Sequence, residues 1–274
     1  MAGIEPVDPA LWLARWTLEA DGEPLKTRSS LLLPVRCAGV PAILKIAHEP
    51  EEKRGGRLMA WWSGNGAARV LAQDDGVLLL ERATGSRSLA AMARAGGDKD
   101  DEATRILCVA TRRLHDHRAP PPADLVPLEV WFAPLLEASD RGELIAGART
   151  VARDLLANQR EPRVLHGDIH HENVLDAGAR GWIAIDPKGL LGERTFDYVN
   201  LLRNPDDEIA LRPDRFIRQV DVIVEMASLD RTRLLQWTLA LAGLSAVWMM
   251  EDGATPKRDL AIVQLTAAAL SVSR

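Results

Sequence analysis

Residues 165–175 read Leu-His-Gly-Asp-Ile-His-His-Glu-Asn-Val-Leu, and residues 183–189 read Ile-Ala-Ile-Asp-Pro-Lys-Gly. Together they give HGDxxxxN followed by an apolar strand that ends in Asp186. Asp168 and Asn173 stand five positions apart on a polar stretch between short apolar segments. A carboxylate can take the proton of an attacking hydroxyl. An amide oxygen and a second carboxylate are hard donors suited to Mg²⁺. Transfer of a nucleotide's γ-phosphoryl group needs those two jobs and few others, and the layout is that of a kinase catalytic loop with its downstream magnesium aspartate.

Upstream of this motif the chain is strand-rich. Residues 29–46 hold two apolar runs around Cys37-Ala38-Gly39-Val40-Pro41, a β-hairpin pattern. Residues 51–62 (EEKRGGRLMAWW) begin acidic and end apolar, as a helix does, although Gly55 and Gly56 argue against an uninterrupted one. Residues 68–71 and 76–81 read as two more strands around an Asp-Gly turn. After Ala83 the pattern becomes helical: 88–94, 102–115, 125–156 and 212 onward. Strands with one helix followed by helices predict an α+β chain. Residues 1–83 form one lobe and 84–274 a mostly helical second lobe.

Composition narrows the class. A formal net charge of -5, with no basic block, speaks against a nucleic-acid partner and is compatible with a cationic one. Cys37 and Cys108 lie too far apart in sequence for a CxxC motif, so a reducing, cytoplasmic setting is expected. The opening MAGIEPVDPALWLARW has no basic segment ahead of an apolar one, so no signal peptide is expected. The most apolar run, LALAGLSAVWMM near residue 240, is too short to span a bilayer and reads as a buried helix.

The run LHGDIHHENVL…GWIAIDPKGLLGE resembles the aminoglycoside phosphotransferase family, and most of all its branch of streptomycin 6-phosphotransferases and aminoglycoside/hydroxyurea resistance kinases. PAILKI, WWSGNGAARVL, LLLERA and LSAVW…KRDLAI match the same family in order. The resemblance implies a bilobal protein-kinase-like fold, with an antiparallel β-sheet lobe carrying one helix, a hinge at 81–83 and a helical lobe. It implies ATP and Mg²⁺ as cofactors. Asp168 is then the catalytic base, and Asn173 and Asp186 are the metal ligands. Lys45 contacts the α- and β-phosphates, and Glu52 pairs with it, with Glu51 as the rival. Glu81 and Ala83 flank the adenine through backbone groups, while His166 and Asp197 support the loop. No GxGxxG precedes Lys45; Ser29 and Ser30 open the equivalent hairpin and are the candidates for the phosphate loop.

A polycationic acceptor calls for carboxylates around the cleft. The candidates for that side are His170, Lys188, Glu193, Glu251 and Asp252, with Asp206, Asp207, Glu208 and Glu225 behind them. The expected activity is ATP-dependent phosphorylation of a hydroxyl on a streptomycin-like antibiotic by a monomer or weak dimer. Hydroxyurea or another small metabolite is the alternative acceptor. Two readings come from other classes. One is a nucleotide-binding pseudokinase, against which the trio Asp168, Asn173 and Asp186 stands. The other is a zinc hydrolase built on His166, His170 and His171 with Asp168 and Glu172.

Overall fold

A computed structural model of the chain describes residues 8–139 and 141–272. Residues 1–7 of the opening stretch read for a signal peptide lie outside the described residues. Helix α1 (Pro9–Arg15) starts at Asp8, whose side chain accepts a hydrogen bond from the Ala10 N–H. Strands β1 (Leu18–Ala20), β2 (Leu25–Lys26), β3 (Ser30–Cys37) and β4 (Val40–Ala47) lead into helix α2 (Pro50–Trp62), and β5 (Val70–Asp74) and β6 (Val77–Glu81) follow it. The six strands form one antiparallel sheet in the order β1-β3-β4-β6-β5, with β2 also paired to β3. The β3–β4 turn is the one the sequence predicts. Ala38 and Gly39 close it with φ of +48° and +78°, a two-residue turn with both centres left-handed.

Strand alternation sorts the side chains of β4 to two faces. Ala42, Leu44 and Ile46 are buried with Val35, Val77 and Leu79 beneath Trp12, Leu13 and Trp16. Ile43 and Lys45 face α2 instead, and this positions the site. Leu78 and Leu80 lie on that second face, in a core that runs on through Leu58, Met59 and Trp62 of α2 into the helices beyond.

Those helices are α3 (Leu89–Ala95), α4 (Gly97–His115), α5 (Leu128–Trp131), α6 (Ala133–Glu137), α7 (Glu143–Ala157), α8 (Val199–Leu202), α9 (Asp207–Ala210), α10 (Pro213–Ala227), α11 (Arg231–Glu251) and α12 (Lys257–Val272). Among them run β7 (Val126–Pro127), β8 (Pro162–Leu165), β9 (Val174–Asp176), β10 (Trp182–Ala184) and β11 (Leu190–Glu193). Strands β9 and β10 pair as an antiparallel hairpin, and β11 lies between β7 and β8. The stretch 125–156, which reads as helical, holds three helices, α5, α6 and α7. Pro134 starts α6, and Gly142 caps α7 with φ +92°. Helix α11 is long and apolar enough to cross a membrane by composition, yet 67% of its most apolar window is buried and Trp237 is fully inside. It is the core helix that the sequence predicts.

Two clasps join the sheet to the helical part. The Ala68 N–H donates to Ala184 O at 2.9 Å and the Ala184 N–H to Gly66 O at 2.8 Å. Ala67 and Ala68 therefore pair with β10, and β5 begins at Val70 rather than at Ala68. Beyond β6, the Gly85 N–H donates to Asp176 O at 2.8 Å, and the Arg87 guanidinium grips the Asp176 carboxylate at 2.9 and 3.0 Å. That fork of charge-assisted bonds holds the Asp176 carboxyl down at about 2.

Candidate active site

The loop between β8 and β9 carries the HGDxxxxN residues. Asp197, 1% exposed, holds the loop from beneath. Its Oδ2 accepts from the His166 N–H at 2.9 Å and its Oδ1 from the Gly167 N–H at 2.7 Å, and His115 Nε2 lies 2.8 Å from Oδ2. His166 is fully buried and neutral: burial lowers its pKa. Its Nδ1 accepts from the Asp168 N–H at 3.2 Å, so the proton sits on Nε2, which donates to Ile185 O at 2.8 Å. The ring stacks on Trp62 at the end of α2, with centroids 6.0 Å apart. Asp197 thus bonds to the loop from beneath, and the His166 ring bonds within it.

Asp168 and Asn173 meet across the loop. The Asn173 amide nitrogen donates to the Asp168 carbonyl at 3.0 Å and stands 3.5 Å from its Oδ2. The Ile185 N–H donates to the Asn173 carbonyl at 2.9 Å, so the residue before Asp186 is laced to the loop. Asp186 leaves β10 with φ +62°, a left-handed turn that Asp tolerates better than most residues. The Lys188 N–H then donates to His166 O at 2.7 Å.

Lys45 sits on the α2 face of β4, 8% exposed, and its ammonium touches both Glu52 and Asp186. Ser29 Oγ donates to the other Glu52 oxygen at 2.7 Å. Glu51 is the rival only in sequence; its carboxylate takes Lys188 at 2.8 Å. Burial works against ionisation of Asp186, but the neighbouring Lys45 outweighs it and keeps that carboxyl below its ordinary range. Lys188 is pushed the opposite way: its burial is overcome by Glu51, and its pKa is raised.

One side of α2 is fitted to the segment after Asp186. A Cβ on Gly55 would lie 2.2 Å from Pro187 O, and one on Gly56 2.8 Å from a Leu78 methyl. Arg54 Nε donates to Lys188 O at 2.9 Å. The two glycines therefore do not interrupt α2; they let it press against both the sheet and the Asp186 turn. Gly55→Ala is expected to cost about 1–3 kcal/mol of stability, the usual cost of overpacking, and, on the expectation that Lys45 meets the phosphates, to weaken nucleotide binding by shifting Glu52 away from Lys45. Denaturant unfolding and calorimetric titration with ATP check this. Unchanged values in both would remove the close approach as the reason for the glycine.

The remaining candidates divide. Ser30 is buried, with its Oγ 3.1 Å from Thr27 Oγ1, while Ser29 reaches Glu52. Glu81 ends β6 with its carboxylate on Arg180 and on the Arg69 N–H, and Ala83 follows, packed on the core. His170 lies beside the loop; its Nδ1 accepts from the Glu172 N–H at 3.2 Å, and its Nε2 is 3.9 Å from Asp168 Oδ2. Asp252 follows α11 and meets Arg28, at the tip next to Ser29, at 3.5 Å, while Glu251 is exposed beside it.

Glu193 requires a correction. It faces the interior, 1% exposed, where Arg233 Nε donates to its carboxylate at 2.7 Å and the Arg160 N–H at 3.0 Å. That carboxylate is consumed by a structural ion pair and offers nothing to an acceptor. Asp206 likewise caps α9 and binds Arg94. The zinc reading also fails on geometry. His166 spends its ring on the loop, and burial holds the pKa of His171 down at about 3, with Arg215 nearby. Among the described residues no three His, Cys, Asp or Glu side chains converge on one metal position.

Two contacts escape a reading of the sequence. Asn200 Nδ2 donates to Asp168 Oδ1 at 3.0 Å, and His115 reaches Asp197. Asn200 lies three positions after Asp197 on a helical turn, a spacing that places both on one face.

For a magnesium ion, the donor chemistry fits. Asp186 supplies a carboxylate already compensated by a cation, and Asn173 uses its nitrogen on Asp168, which leaves its oxygen for another partner.

Comparison with known proteins gives the family and the fold. Residues 15–253 match the family model described as aminoglycoside/hydroxyurea antibiotic resistance kinase. The chain is 51% identical over 246 residues to streptomycin 3''-kinase of Klebsiella pneumoniae, an overlap of 88% of this chain and 92% of that protein. It is 35% identical to streptomycin 6-kinase of Streptomyces griseus, covering 93% and 86%. It is 33% identical to hydroxyurea phosphotransferase of Kitasatospora aureofaciens, covering 93% and 77%. Its fold matches a thermostable mutant of aminoglycoside phosphotransferase APH(4)-Ia in a ternary complex with ADP and hygromycin B. There the TM-score is 0.62 at 13% identity, over 93% of this chain and 97% of that one. Choline kinase LicA from Streptococcus pneumoniae matches with a TM-score of 0.63 at 11% identity, over 95% and 99%. The α+β fold is thus the protein-kinase-like one, and the chain belongs to the aminoglycoside/hydroxyurea antibiotic resistance kinases, a family of phosphotransferase enzymes.

Proposed function

We propose that this enzyme transfers the γ-phosphoryl group of ATP to a hydroxyl of streptomycin, and that the hydroxyl is the 3'' one. The observation that carries the reading is the convergence of Lys45, Glu52 and Asp186 beside the Asp168–Asn173 loop, in a chain 51% identical to a streptomycin 3''-kinase against 35% for a 6-kinase.

Asp168 takes the proton of the acceptor hydroxyl as that oxygen bonds to the γ-phosphorus and the bond to departing ADP breaks. Glu52 fixes the Lys45 ammonium, which contacts the α- and β-phosphates. Residues up to 83 form the nucleotide-side lobe, with Glu81 and Ala83 along the adenine and Ser29 at the phosphate end. Asn173 and Asp186 would hold Mg²⁺, which when bound offsets phosphate charge. Asp252 and Glu251 are the exposed carboxylates this reading offers to a cationic acceptor. Phosphorylation adds bulk and negative charge to a drug that its target reads by shape and hydrogen bonding.

The test is ADP release by the purified chain with ATP, Mg²⁺ and, in turn, streptomycin, kanamycin or hydroxyurea, followed by phosphorus NMR of the product. Streptomycin-dependent release with the phosphate on the 3'' oxygen is expected. Release with hydroxyurea alone would transfer the reading to that acceptor, as the 33% identical relative suggests. No release with any of the three would overturn it.

A further inference from the structure

We infer that Asn200 is a positioning residue for the reaction: locked by Arg203 and Asp259, it orients the Asp168 carboxylate so that one chosen oxygen faces the acceptor. This rests on the reading of Asp168 as the base.

A carboxylate on a loop turns easily about its last bond, and a base that turns presents the wrong oxygen or the wrong lone pair. Asn200 Nδ2 donates to Asp168 Oδ1 at 3.0 Å. The partners of Oδ2 are more distant, Asn173 Nδ2 at 3.5 Å and His170 Nε2 at 3.9 Å. Oδ1 is therefore pinned, and Oδ2 is the oxygen left for an incoming hydroxyl.

An asparagine can only pin a carboxylate if its own amide cannot flip, because the flipped amide would set oxygen against oxygen. Arg203 prevents the flip. Its Nη1 donates to Asn200 Oδ1 at 3.0 Å, and a guanidinium has donors only. Arg203 is itself held by Asp259 of α12, with Nη2 to Oδ1 at 2.5 Å, and the side chains of this pair are 11% and 3% exposed. The Asn204 side chain donates to the Asn200 carbonyl at 2.9 Å and steadies the same turn. The chain Asp168–Asn200–Arg203–Asp259 thus runs from the loop to the last helix. It also keeps the guanidinium one side chain away from the Asp168 carboxylate.

Asn200→Leu tests the claim, since it removes the donor to Asp168 at similar volume without setting a second carboxylate beside the base. Measured under single-turnover conditions with labelled ATP and streptomycin, kcat is expected to fall roughly 30- to 100-fold, the scale of a misplaced reacting group. KM for ATP should stay within about twofold. The decisive step is a double-mutant cycle. In an Asp168→Asn background the same change at position 200 is expected to cost less than about twofold, because its effect travels only through Asp168. A wild-type rate in Asn200→Leu, or an equal loss in both backgrounds, overturns the inference. If Asn200→Leu fails to fold, Asn200→Ala runs the same cycle. If the unaltered enzyme does not phosphorylate streptomycin, the acceptor reading fails separately. The cycle then runs on transfer of the label to water and is decided by the same two outcomes.

Discussion

Asp168→Asn is expected to lower kcat for streptomycin by roughly 10²–10⁴-fold, the usual contribution of a positioned general base, while ATP binds with unchanged affinity. The substitution is close to isosteric. An asparagine oxygen at position 168 can still accept from Asn200, and the backbone N–H and carbonyl that bond to His166 and Asn173 are untouched. What disappears is the ability to take up a proton. The groups assigned to the nucleotide lie elsewhere: Lys45 is held by Glu52 and Asp186, and Glu52 is braced by Ser29. The measurements are streptomycin-dependent ADP release and calorimetric titration with a non-hydrolysable ATP analogue. A kcat within tenfold of the unaltered enzyme would falsify the role of Asp168 as base. A lost affinity with normal kcat would move that residue to the nucleotide.

The proposed site was legible as a cluster because the motif concentrates it. Asp168 and Asn173 share one loop, and Asp186 is one strand away, so a short window of sequence already contains the groups that must meet. The hairpin was legible for a similar reason: Ala38-Gly39 between two apolar runs is a local signal with a local outcome. Helix α2 was legible, but the reservation at Gly55 and Gly56 was misplaced, because intrinsic propensity counts the entropy cost of glycine and cannot see Pro187 O waiting where a Cβ would be. Glu193 was misjudged because closeness to Asp186 along the chain says nothing about which side of β11 a side chain takes. Its partner, Arg233, is forty positions away. Asn200 was overlooked for the opposite reason. It carries no charge, and its meaning depends on Arg203 fixing its amide, which in turn needs Asp259, 56 positions beyond Arg203.

Asp197→Ala should produce the largest loss of stability of any substitution near the site. One carboxylate, 1% exposed, receives the N–H groups of His166 and Gly167 and stands 2.8 Å from His115. Alanine would leave two buried backbone donors unmatched, each costing about 1–3 kcal/mol, and would open a void beneath the loop. A total loss of about 3–5 kcal/mol is the scale seen when one partner of a buried charged network is removed. That should lower Tm by roughly 6–20 °C in a chain of this size. Activity should fall further than stability alone requires. Gly167 adopts φ +85° directly before Asp168, and its N–H is one of the two bonds lost, so the base would no longer be held against Asn200. Thermal unfolding and kcat measured well below the variant's Tm separate the two effects. A folded variant with near-normal kcat would mean that the Trp62–His166 stack and the His166 contact to Ile185 are enough to hold the loop, and Asp197 would then be a stability residue without a share in positioning.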